Sequence, residues 1–343
     1  MPSPSRETGP ALPHEASFRA GAHAATTTRH LTALVQWGRR LIAQERPEYS
    51  ELLPLFARVH DEITSAASAD RLLPTGSTPA TATVDSPPEQ ADAGYFVEGL
   101  TAARVLVWVL HDNRSVAERL PRLVVAALLQ DVGRMFAAGI LRRLKGRSAS
   151  RAEWLECHHP SVGAALLAGV HRAPVELPLL VAQHHERLDG GGFPGALVAR
   201  ELTADAAILA AATRFAQLCL ASRPHDVSHS PQPAVLSEIA RVLFAEAKWG
   251  MWPVDFAIRV RERIAAIQEV PPVHDDAIRP ATVDRFERDG AAVVDSPDAE
   301  RHRRLDPEEE VVRGMHAGAG EPFAATTLEE IRRFAGKKLA RSE

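Results

Sequence analysis

The chain has 343 residues, 45% of them hydrophobic but only 5% aromatic, and a formal net charge of −4. That length is enough for a real core, and the charge excludes the electrostatic footprint of a protein that coats nucleic acid or an anionic membrane. A composition led by Ala and Leu favours helices over strands, while a small anionic ligand in a local basic pocket stays open.

Residues 1–25 are rich in Pro, Ser and Ala and are expected to be disordered. They hold no apolar run of signal-peptide length. No stretch approaches about 18 consecutive apolar residues, so no membrane span and a cytoplasmic location are expected. From Thr27 a helical pattern puts Leu31, Leu34, Val35, Leu41 and Ile42 on a repeating face, and Tyr49 to Ala67 reads as a second helix. These make a helical N-terminal extension over residues 26–72. The doublet His60-Asp61 is followed by EITSAAS, without a glycine or basic residue, and reads as a solvated helix face. Residues 73–93, LPTGSTPATATVDSPPEQADA, lack apolar periodicity and read as a linker or a long surface loop.

The main domain is expected over 94–270 and is all-α, because strand-like alternation is absent. Tyr95 to about His111 is a strongly apolar helix, and Val116 to Ala138 follows as another. Ser150 and Glu153 form a capping box that opens the next helix. Pro160 is expected to start a further short one, SVGAALLAGV. Val175 to Arg187 is a helix with Pro178 in its first turn, stopped by Gly190 to Gly192. Thr203 caps the helix DAAILAAATRFAQLCLA. Ala234 to Lys248 and Pro253 to Ile267 complete the set, the latter with Phe256, Val260, Ile264 and Ile267 on one stripe. Cys157 and Cys219 sit in apolar helical patterns and read as small buried hydrophobes. Residues 271–343 are a charged, largely disordered tail. It ends in a basic helix, LEEIRRFAGKKLA, capped by Thr327 and Glu330, which reads as a solvated face or an element that docks a protein partner.

The stretch richest in chemistry is His184 to Pro194, HHERLDGGGFP. Adjacent imidazoles diverge by about 100° on a helix, so both serve one site only if it holds several groups or ions. The glycines allow positive φ and let backbone N–H groups approach an anion. This is a candidate metal-and-phosphate corner. With AALLQDVGR (126–134), HHPSVGAALL (158–167) and ILAAATRFAQLCLASRP (208–224) in order around it, the chain resembles the HD-GYP family, metal-dependent phosphodiesterases of cyclic di-GMP.

That resemblance implies an HD-type helical bundle with a site for divalent ions, manganese, iron or similar. Such ions activate a water and take up charge on phosphoryl oxygens. It carries over Asp131 as a catalytic residue, and Asp131, His159, His184 and His185 as metal ligands. His159 rather than His158 is the match, because it directly precedes Pro160. Substrate-binding roles fall to Arg134, Asp189, Gly190, Gly192, Phe193, Pro194 and Arg223. Three positions depart from the family pattern. Gln130 stands where the HD histidine belongs, Thr213 where a late aspartate belongs, and Glu98 about where an upstream histidine should be. Glu98 reads equally as a coordinating carboxylate and as a helix-surface glutamate. The resemblance with these losses implies a degenerate module for a cyclic dinucleotide or other phosphoester, with weak or no phosphodiesterase activity. The alternatives are an active phosphohydrolase with a reduced metal site, and a helical protein-interaction scaffold.

Overall fold

The computed structural model describes residues 13–65, 71–72, 92–143, 149–222 and 233–268. The basic terminal helix, Arg223 and the linker up to residue 91 lie outside the described residues. Ten helices follow one another in what is described: α1 (Pro13–Ile42), α2 (Leu53–Thr64), α3 (Val97–Leu110), α4 (Leu120–Leu129), α5 (Val132–Arg143), α6 (Ala149–Leu167), α7 (Leu177–Ala182), α8 (Ala204–Ala221), α9 (Pro233–Lys248) and α10 (Val254–Gln268). The extended pairing present among the described residues is two isolated bridges, Glu48 with His171 and Asp189 with Val198. Among the described residues the protein is an all-α bundle, as its composition indicates.

The bundle is arranged around α3, which is buried along its whole length. Apart from Glu98, Thr101 and Arg104, which find buried polar partners, it is apolar on every side, the pattern of an enclosed helix. It packs most extensively on α4 and α8. Alanines 206, 207, 210, 211 and 212 of α8 keep that packing close, and Leu100, Leu123, Leu128 and Phe215 fill the space between them at 0% exposure. Each such side chain contributes about 1.5–3 kcal/mol relative to leaving it in water. Leu34 and Val59, from α1 and α2, belong to the same continuous core. The segments Asp92–Leu110 and Ala204–Ala221 are long and apolar enough to cross a membrane by composition, but 94% and 67% of their apolar windows are buried in the protein. They are core helices.

Several sequence expectations need correction. Helix α1 starts at Pro13, within the stretch expected to be disordered. Five alanines between residues 16 and 25 supply strong helix propensity there, and His23 and Thr27 are buried. The helix expected from Tyr49 begins as a 3-10 turn, Tyr49–Leu52, and becomes α-helical at Leu53, where Pro54 sits in the first turn. The single helix expected over 116–138 breaks into α4 and α5 at Gln130-Asp131. Pro160 starts no new helix; it lies inside α6. The last of these helices already includes Ala149, so Ser150 is not its cap. Cys157 is exposed and Cys219 buried, because Cys157 lies about 200° around α6 from the buried His159. Other expectations hold: Thr203 accepts from Ala206 N at 3.1 Å, Phe256, Val260 and Ile264 are buried, and Asp61 is 84% exposed.

A polar network ties α1 and α2 to α3. The Arg104 side chain, fully buried, donates from Nη2 to Thr27 Oγ1 at 2.9 Å and to Glu62 Oε1 at 3.1 Å. Glu62 also faces His23 Nδ1 at 2.9 Å and His30 Nδ1 at 3.5 Å. Burial pushes the His30 imidazole down to about 4, more than Glu62 raises it. Below about 6.5 the unfolded chain therefore binds a proton that the folded chain refuses. Stability should fall as pH drops from about 6.5 toward 4, and a His30→Gln variant should show a flatter slope in urea titrations over that window. An identical slope in the variant would refute this.

Candidate metal centre

Four side chains converge where α4 ends, in α6 and just after α7. One donor atom each from Asp131, His159, His184 and His185 lies within 4.8 Å of the others. Asp131, His159 and His184 are almost completely buried. The α4–α5 break makes this geometry: it turns Asp131 inward at the corner instead of along a continuous helix. Gly133 follows, and a Cβ there would meet the His159 carbonyl oxygen at 2.1 Å. Only glycine lets α5 come this close to the ligand-bearing turn of α6.

Each buried histidine is oriented by its own backbone. His159 Nδ1 donates to Glu156 O and His184 Nδ1 to Val181 O, both at 2.7 Å. A carbonyl only accepts, so each Nδ1 carries the proton and each Nε2 presents a lone pair. Those two Nε2 atoms face each other at 3.2 Å, and His159 Nε2 lies 3.3 Å from Asp131 Oδ1. Pro160 explains the first of these bonds. It has no N–H to give to Glu156 O, four residues back, and His159 takes that carbonyl instead.

Burial pushes the imidazoles down, to about 3 for His159 and about 4 for His184, with His185 also well below its usual value. They are neutral at physiological pH. Burial alone would raise the Asp131 carboxyl, but the neighbouring charge of Arg134, first among several groups, outweighs it and holds the group below the usual carboxylate range. Asp131 Oδ1 and His185 Nε2 are buried without a hydrogen-bond partner. The anionic Asp131 oxygen and the Nε2 lone pairs of His159 and His184 thus face one another with no proton between them, and His185 supplies the fourth donor. That is a repulsive arrangement that a divalent cation resolves, and the N/O donor set suits manganese, iron or zinc.

His184 and His185 do not end a helix, as their sequence context suggested. Helix α7 stops at Ala182, Gln183 has ψ near 6°, and the two histidines lie in the following turn. Their rings therefore approach to 4.1 Å between centroids rather than diverging. The glycine loop secures the turn: Phe193 N donates to His185 O at 3.2 Å. A Cβ on Gly192 would lie 2.4 Å from Arg187 N, so a side chain there is incompatible with the fold. Phe193 stacks on His185 at 4.4 Å and 26°, and the Phe193-Pro194 bond is cis. Gly190 takes φ +79°. Asp189 is turned to its own loop, accepting from Arg187 and from Gly191 N at 3.0 Å.

On the other side of Asp131 the donors close on one another. Thr213 Oγ1 donates to Gln130 Oε1 at 3.0 Å, and Gln130 Nε2 faces Asp131 Oδ2 at 3.3 Å and Glu98 Oε1 at 3.4 Å. Glu98 also accepts from Gln217 Nε2 at 3.0 Å. It is buried, not a surface glutamate. Burial, with the Asp131 charge beside it, raises its carboxyl.

Residues 102–237 match the family described as HD domain. This chain carries an HD domain. It is HD-GYP-like: over 116 residues it is 31% identical to the cyclic di-GMP phosphodiesterase response regulator RpfG of Xanthomonas campestris pv. campestris (strain 8004). That alignment takes in 33% of this chain and 30% of the relative, so the chain spans under a third of the relative it matches. No solved structure matches significantly. The matched stretch contains the His/Asp cluster suited to a metal ion.

Three neighbours of the HD cluster escaped sequence reading. Glu156 precedes His159 by three residues and Gln217 follows Thr213 by four, both spacings that share a helix face. Glu186, though quoted in the HHE string, had no role. It is 1% exposed and accepts Gly195 N at 2.5 Å and Leu197 N at 2.9 Å, which fixes the far arm of the glycine loop.

Proposed function

We propose that this HD domain is a signalling module that holds a divalent ion on Asp131, His159, His184 and His185 and binds cyclic di-GMP or a related phosphodiester with little or no turnover. The observation that carries this is the Gln130–Thr213 hydrogen bond of 3.0 Å. The two positions where the family supplies a histidine and an aspartate are bonded to each other and offer no ligand. An amide and a hydroxyl are weak ligands for transition ions and cannot supply the missing charge. When bound, the ion would supply Lewis-acid polarisation of a phosphoryl oxygen. Around it, Phe193 gives an aromatic ring beside His185 for a flat ligand.

The four intact donors favour a second reading, an active phosphohydrolase working with fewer ions than its family. Calorimetry and product analysis with cyclic di-GMP, on protein loaded with manganese or iron, separate the two. The expected result is nucleotide binding that requires the metal, with negligible product. Robust turnover that vanishes in His184→Ala would replace the first reading with the second.

A further inference from the structure

A second carboxylate cluster lies directly beside the four donors. Glu98 from α3, Asp131 from the α4–α5 corner and Glu156 from α6 converge on one guanidinium, that of Arg134. Its Nη1 lies 3.2 Å from Asp131 Oδ1 and 4.0 Å from Glu98 Oε2, and its Nη2 donates to Glu156 Oε1. Only 14% of the Arg134 side chain is exposed, against 1% for Asp131 and 9% for Glu98, while Glu156, 43% exposed, closes the cluster from its rim. Carboxyl oxygens from three elements converging on one point form the donor set that hard divalent cations take. Here the cation at that point is covalently part of the chain.

Asp131 is shared between the two clusters. Its Oδ1 faces His159 Nε2 at 3.3 Å on one side and Arg134 at 3.2 Å on the other. An arginine kept for phosphate would present its fork to the open site. This one is paired with Asp131 and Glu156 and lies beside Glu98, which argues against the substrate-binding role that the resemblance gave it. A guanidinium keeps its charge under all physiological conditions and spans carboxylates that a lysine ammonium would meet only as a point charge.

We propose that the Arg134 guanidinium is a built-in substitute for a second metal ion, bridging Glu98, Asp131 and Glu156, so that the centre accepts a single divalent ion on its histidine side. This rests on the metal-binding reading above. It follows that removing the guanidinium leaves three converging carboxyl groups, two of them buried and Glu156 at the rim, with no cation among them, and so opens a second ion site.

The test is ion stoichiometry, measured by elemental analysis and manganese calorimetry on the full chain. One ion per chain is expected in the wild type, two in Arg134→Met, and one again in Arg134→Met/Glu156→Gln. One ion in both wild type and Arg134→Met would overturn the substitution while leaving the metal centre standing. Two ions in the wild type would overturn it as well. No ion in the wild type would bring down the metal-centre reading itself, and this inference with it. Should Arg134→Met lose its helical circular dichroism, Arg134→Gln, which keeps an amide donor for the carboxylates but no charge, decides by the same counts.

Discussion

Glu62→Ala is expected to lower folding stability by about 3–5 kcal/mol, the range for breaking one partner out of a buried ion pair. The Arg104 side chain has 0% exposure and Glu62 6%, and that carboxylate is the anionic partner of the guanidinium. Without it, a guanidinium remains in the core with only Thr27 Oγ1 at 2.9 Å to receive it. The penalty is the desolvation of a lone charge rather than the net worth of the pair, so replacing both partners should behave differently. Glu62→Leu/Arg104→Met, apolar and of similar volume, should recover most of the loss in urea unfolding. A single variant within about 1 kcal/mol of wild type would show that water reaches Arg104 and that the network does not hold α1 and α2 to α3.

His184→Ala is expected to weaken manganese or zinc binding by at least about 100-fold, since even groups that only orient a ligand cost about 10–100-fold when removed. The imidazole contributes a lone pair aimed by Val181 O, 3.2 Å from that of His159. His158→Ala makes the paired control, because His158 is adjacent in sequence but is not among the four converging donors. Competition titration against a chelating dye should show a large loss for the first variant and little change for the second. Equal losses would mean that the ion binds elsewhere.

Much of this architecture is readable from the chain because it rests on short-range rules. Ala and Leu content, Thr203 as a cap and the Phe256, Val260, Ile264 stripe each act within a turn or two of helix. The four donors were legible because their spacing follows a family pattern. What escaped depends on partners distant in the chain. Residues 13–25 have a helical composition that Pro and Ser nearby obscured, and the burial of His23 depends on Glu62, which only the fold brings alongside. Val116 to Ala138 looks like one apolar helix, and nothing local in its apolar pattern marks the break at Gln130-Asp131. Likewise, Arg134 read alone is a helix cation; its meaning comes from Glu98 and Glu156, 36 residues before it and 22 after.

Pro160 has a thermodynamic consequence. A histidine on a helix ordinarily samples two ring nitrogens and several rotamers, and an incoming ion must select one combination. In α6 the missing amide hydrogen of the proline exposes a carbonyl that captures Nδ1 of His159 at 2.7 Å as soon as the helix forms. The ring's conformational entropy is thus surrendered during folding, not at the moment of coordination. Affinity at this position is written into the backbone of the residue that follows the ligand.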